Sequence, residues 1–269
     1  MSPEFKPQSA TQLVLRAFTL NFQMLWTFIV IGFICFLAPM ILFMIGFVMV
    51  AAGGPGSAGA GSVILGLLLI IAAFVAYFIA MGYFYAATIL AVWLRLTGVK
   101  ARISQIMGRL RGKVAWQSVL VAFRVGLKVM LGYLLLIIPG FIWYAKYVMA
   151  VPVAVVEQAY GRDAMDRSAE LSEGNRGRLV GAFIFFVVLY YTIVFGAQFG
   201  VAPTLIAMGA PEETAKLVQS LATIISSFLF PSSLIFPVLV YFDAKRSKEA
   251  LELPTIGDLD SAQAAGAGV

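Results

Sequence analysis

Residues 17–94 read AFTLNFQMLWTFIVIGFICFLAPMILFMIGFVMVAAGGPGSAGAGSVILGLLLIIAAFVAYFIAMGYFYAATILAVWL, seventy-eight positions without one Asp, Glu, Lys or Arg. A globular fold keeps charged side chains on its solvated face, and no single buried helix or strand is this long. The stretch can cross a bilayer twice, with the Gly/Ala/Ser-rich segment Ala51 to Ser62 as the turn between crossings. It predicts an integral membrane protein of the all-α class, polytopic and helical.

Outward from this stretch, further apolar runs occupy Val119–Ile138, Phe141–Val156, Leu179–Met208 and Leu217–Phe242, for about six transmembrane segments. Arg124 and Lys128 interrupt the third, which ends at a structural break, Pro139 and Gly140. The fourth spans only about 24 Å of helix, against a hydrocarbon core of about 30 Å. These two segments either cross fully or form a re-entrant hairpin turning at Pro139-Gly140. In both cases the chain returns to the face it left. The first run, Phe22 to Ala52, exceeds the length of a signal-peptide core, so it reads as an anchor despite the Val50-Ala51-Ala52-Gly53 that ends it.

Only 12% of the 269 residues are charged, against about 25% in a soluble domain, which leaves no room for a large soluble unit. Residues 1–253 form a single helical membrane domain. The small, polar, acidic tail 254–269 has the composition of a disordered segment. The net charge of +6 is carried by residues bordering apolar segments, which points to anionic lipid head groups and away from nucleic acid.

Placing the N-terminus, Arg95–Lys113, Arg162–Arg178 and the C-terminal tail on one face collects fifteen of the nineteen Lys and Arg there. Lys216 alone falls opposite, and three lie within spans. The positive-inside rule then puts both termini in the cytoplasm.

Two segments on that face read as amphipathic helices. In Ala101–Gln117, Ile103, Ile106, Met107, Leu110 and Val114 form a stripe, with Arg102, Arg109, Arg111 and Lys113 mostly off it. This is either a helix lying in the headgroup layer or a basic loop that obeys the topology rule. Asp163–Glu173 starts with acidic residues and ends before Gly174, as a helix should. Within the bilayer, Ala72, Ala76 and Ala80 allow close helix packing, inside one chain or in an oligomer. Pro39, Pro152, Pro231 and Pro237 are expected to kink or interrupt their helices. The hydroxyls of Ser232 and Ser233 are expected to bond their own helix.

Charges at membrane depth are the candidate functional residues. Arg124 and Lys128 stand one turn apart, Lys146 sits midway along the fourth segment, and Glu157 closes it. They either line a basic cavity for a lipid phosphate or other anion, or snorkel to the interface. With Arg102, Arg109, Arg111 and Lys113 they make up the candidate contacts to anionic head groups. Catalytic, cofactor and metal residues are not expected. The chain has no His and one Cys, Cys35, and the glycines at Gly53-Gly54-Pro55-Gly56 lack the Lys-Ser/Thr of a phosphate loop.

One resemblance is carried by Pro139-Gly140-Phe141, Glu157, Asp163-Ala164, Ser168, Glu170-Leu171-Ser172 and Gly174. It continues in Tyr241-Phe242-Asp243 and the cluster Lys245-Arg246, Lys248-Glu249. With an amphipathic N-terminal helix over Ala10–Leu25, the chain resembles the glycerophosphoryl diester phosphodiesterase membrane-domain family and related polytopic bacterial membrane proteins. It departs from that pattern at Ala250 and at Asp166-Arg167. The resemblance implies a six-helix module in a bacterial cytoplasmic membrane. In that family phosphodiesterase activity belongs to a separate soluble domain, so the likeness implies no activity here. The expected function is a non-enzymatic accessory or structural role with contact to anionic lipid. The alternative is a small transporter or lipid-handling protein that uses the Pro139-Gly140 break and Lys146.

Overall fold

The computed structural model describes residues 9–53, 57–97, 102–110 and 113–249. Arg111, Ala250 and the tail 254–269 lie outside the described residues. Within them the chain is all-α, with six stretches long and apolar enough to cross a membrane. Bulky apolar side chains such as Trp26 and Met208 are three-quarters exposed. Surface of that kind is covered by lipid in a multi-pass membrane protein.

Helix α1 (Ala10–Gln23) starts at a reciprocal cap: Gln12 N–H donates to Ser9 Oγ, and Ser9 N–H donates to Gln12 Oε1. Its buried face, Leu13, Val14, Ala17 and Leu20, joins the core. Helices α2 (Leu25–Ala52) and α3 (Ser57–Leu96) form a long hairpin. A Cβ on Gly46 would lie 2.8 Å from the Gly66 carbonyl, and one on Gly66 would lie 2.7 Å from the Gly46 carbonyl. Only glycine lets the two backbones come this close.

Helix α3 runs for about 60 Å at 1.5 Å per residue. From Phe84 to Leu94 every residue except the half-buried Tyr85 is buried. The short helix α4 (Ile103–Arg109) leads into α5 (Lys113–Leu135), which turns at Leu136 into α6 (Ile137–Tyr147) and then α7 (Ala150–Val156). A polar helix α8 (Arg162–Ser172) follows, then α9 (Arg176–Phe195), a π-helical turn (Gly196–Gly200), α10 (Val201–Ala207), α11 (Glu212–Ser227) and α12 (Phe230–Glu249). The core gathers α1, the end of α3, α7, α8 and the middle of α12, with Trp93 packed against Tyr241 and Phe242.

Two expectations are corrected here. The break in the third and fourth segments is at Leu136, with extended φ −165° and ψ 150°, not at Pro139-Gly140. Pro139 occupies the first turn of α6, where a missing N–H leaves no hydrogen bond unmade. Gly140 is needed for packing, since a Cβ there would run into the Tyr133 ring. Pro152 and Pro231 stand in the first turns of α7 and α12, just after α6 and α11 end, so the helices are interrupted beside them as expected, whereas Pro39 and Pro237 lie inside continuous helices. The 101–117 segment is not one interfacial helix. It divides into α4 and the start of α5, and Ile106 and Leu110 are buried with Ile103, Met107 and Val114 packed against the core. Protein, rather than the headgroup layer, covers that stripe.

Candidate functional site

Helices α5 and α6 are held together by glycine and aromatic contacts: Gly132 against Gly140, and Tyr133 edge-on to Phe141 at 5.5 Å. This antiparallel register brings Lys128 of α5 level with Tyr147 of α6. The Lys128 ammonium lies 5.1 Å from the Tyr147 ring centroid, and the Lys146 ammonium 5.3 Å from the same centroid. Each contact is a cation–π attraction worth about 0.5–1 kcal/mol at an exposed site. Two predicted site residues therefore meet on one ring.

Arg124, one turn from Lys128, goes elsewhere. Its guanidinium lies 2.9 Å from where a Cβ on Gly161 would be. Gly161 precedes α8 with φ +64°, a conformation that suits glycine. Helix α8 is tied back to the same corner by Ser168 Oγ–H, which donates to the Lys146 carbonyl at 2.9 Å. Among the described residues, none of Arg124, Lys128 and Lys146 is in an ion pair with a carboxylate.

Behind the Tyr147 ring opens a cavity of about 490 Å³ between α3, α5, α6 and α12. Its walls are mostly aliphatic, and its polar groups are Tyr85, Tyr133, Tyr144, Tyr147 and Ser233. Ser233 Oγ donates to the Phe230 carbonyl at 2.7 Å, as the expectation of a bond to its own helix held. Ser232 Oγ is buried without a hydrogen-bond partner among the described residues. A cavity this apolar, with the lysine-flanked Tyr147 in its wall, suits an amphiphile better than a small polar solute.

A second constellation joins residues that stand far apart in the sequence. Glu157, just past α7, accepts from Tyr241 Oη–H and Lys245 Nζ on Oε1, both at 2.7 Å, and from Arg167 Nε on Oε2 at 3.2 Å. Arg178 also donates to the buried Asp243 at 2.8 Å. Burial would push the Glu157 carboxyl up, but the Lys245 and Tyr241 donors and the Arg167 charge prevail and hold it below its ordinary value. These bonds clamp α7 and α8 to α12, and the fully engaged carboxylate has the character of a structural anchor.

The remaining predicted contacts are not part of the Tyr147 site. Arg102 and Lys113 are exposed and Arg109 half-buried, on α4 and the first residue of α5. Comparison with protein-family models, with curated proteins and with solved structures returns no match.

Proposed function

We propose that this is a non-enzymatic membrane protein that holds an anionic lipid. In this reading Lys128 and Lys146 hold the phosphate, and an acyl chain occupies the tyrosine-lined cavity. The observation that carries this reading is the meeting of two lysines from different helices on the Tyr147 ring, at the edge of that cavity. Each basic residue near a membrane surface contributes about 1 kcal/mol toward anionic lipid. The two together give roughly a thirtyfold preference.

The reading includes a bacterial cytoplasmic membrane with both termini inside, supported by the bias of basic residues. It also includes kinship with the glycerophosphoryl diester phosphodiesterase membrane domain. The convergence of Glu157, Tyr241 and Lys245, which belong to the motifs behind that resemblance, supports the kinship.

Native mass spectrometry of the detergent-purified protein, titrated with phosphatidylglycerol and separately with phosphatidylcholine, tests the lipid site. Wild type should prefer phosphatidylglycerol, and the Lys128→Gln/Lys146→Gln variant should bind the two alike. Equal binding by wild type, or an unchanged preference in the variant, would end the proposal.

A further inference from the structure

Helix α8 acts as a depth gauge for the α5/α6 hairpin. Five of its eleven residues, Arg162, Asp163, Asp166, Arg167 and Glu170, are charged. The Arg162 and Asp166 side chains are 91% and 69% exposed. Such a helix lies in water or among head groups, not in hydrocarbon. Arg124 lies against Gly161, the residue just before it, and the Lys146 carbonyl accepts from Ser168 in its middle. Arg124 and Lys146 are therefore at the aqueous boundary.

Beyond that boundary little hairpin remains. From Arg124 to the end of α5 at Leu135 the helix rises about 16 Å, and from Lys146 back to the start of α6 at Ile137 about 14 Å. Half a hydrocarbon core is about 15 Å. The other hairpins are longer. From Arg178, paired with Asp243, the chain rises about 45 Å to Met208.

The turn residues agree. Leu134, Leu135, Leu136 and Ile138 are 69–73% exposed, and no polar side chain stands among them. The turn after α10 instead contains Gly209 and Pro211, and Glu212 and Glu213 open α11 beside it, the residues of a water-facing turn.

We infer that α5 and α6 form a half-membrane hairpin inserted into one leaflet, with the Leu134–Ile138 turn near the bilayer midplane. Its surface partner is that single leaflet, and Arg124, Lys128 and Lys146 form a basic collar at phosphate level.

The cost of a turn in hydrocarbon is limited by its own bonding. Leu136 N–H donates to the Gly132 carbonyl and Gly140 N–H to the Leu136 carbonyl, while Pro139 has no N–H. Among the described residues the Ile137 and Ile138 N–H groups of the first turn remain without a backbone partner, which hydrocarbon penalises. Full crossing would instead sink three basic residues into hydrocarbon and draw the five charges of α8 after them. The half-crossing wins.

The inference does not depend on lipid binding, and its test is separate. In a Cys35→Ala background, Leu135→Cys, Ile138→Cys, Ala210→Cys and Arg124→Cys are each exposed to a membrane-impermeant maleimide, in intact cells and in inverted vesicles. The Leu135 and Ile138 variants should label from neither side, the Arg124 variant from the face of α8, and the Ala210 variant from the opposite face. Labelling of the Leu135 or Ile138 variant from the face that labels Ala210, at a comparable rate, would overturn the half-crossing. A second measurement guards against misfolding: Leu136→Arg should lower the yield of folded protein, whereas a turn among head groups would accept it unchanged.

Discussion

Lys245 Nζ of the last helix stands 2.7 Å from Glu157 Oε1, 88 residues away in the chain. Their side chains are only 15% and 19% exposed. Removing one partner of a buried pair leaves a charge without compensation, at about 3–5 kcal/mol, and partial exposure discounts this toward 2–3 kcal/mol here. Glu157→Gln should therefore lower the thermal midpoint in detergent markedly, followed by intrinsic fluorescence. Adding Lys245→Met should cost less than the two single changes combined, because the partners are coupled. Lys216→Gln, at the exposed pair with Glu212, should leave the midpoint unchanged.

The same carboxylate sets a pH dependence. Glu157 titrates below its ordinary value of 4.5 in the folded protein, so the unfolded chain takes up the proton first. Its contribution is complete above the unfolded value and is lost as pH falls through the lower folded one. On acidification from about pH 5 to about pH 3, the wild-type midpoint should fall further than that of Glu157→Gln. Parallel profiles for the two proteins would show that the ionised form is not what stabilises the clamp.

Glycine substitutions should sort by what the new methyl group meets. At Gly46 and Gly66 the neighbour is backbone, which cannot rotate away, so Gly46→Ala must spread α2 from α3. A cost of about 1–3 kcal/mol is expected from overpacking. At Gly61, also on α3, nothing lies within 4 Å, and Gly61→Ala should be neutral or stabilising through helix propensity. Thermal midpoints of the two variants, purified side by side, check the ordering.

These contacts divide the readable from the unreadable. The charge-free stretch announced α2 and α3 because lipid makes hydropathy a signal tens of residues long. The stripe from Ile103 to Val114 revealed an apolar face, but periodicity cannot tell whether protein or lipid covers it, and here Ile106 and Leu110 are buried in protein. Pro139 misplaced the turn by three residues, since a proline suits a first helical turn as well as a break. Lys128 and Lys146 stand out in the sequence by their depth, and the fold brings them to one ring. Arg124 had the same signal but belongs to Gly161. The Glu157 clamp depends on contacts across the chain that no local pattern encodes.

Gln219 offers the last test, at the irregular turn that ends α9. Its Nε2–H donates to the Gln198 carbonyl at 2.7 Å, and its Oε1 accepts from Ala202 N–H at 3.0 Å. A π-helical turn shifts the i→i−4 pattern, and a facing side-chain amide can satisfy the donor and acceptor it displaces. Gln219→Leu preserves size but leaves both backbone groups without this partner, at about 1–3 kcal/mol. Gln219→Glu keeps the acceptor for Ala202 and loses the donor to Gln198, so its midpoint should fall between wild type and the leucine variant. Hydrogen exchange should quicken at Ala202 in the leucine variant and not in the glutamate one. Unchanged exchange at Ala202 in both would mean that the turn holds its shape without Gln219.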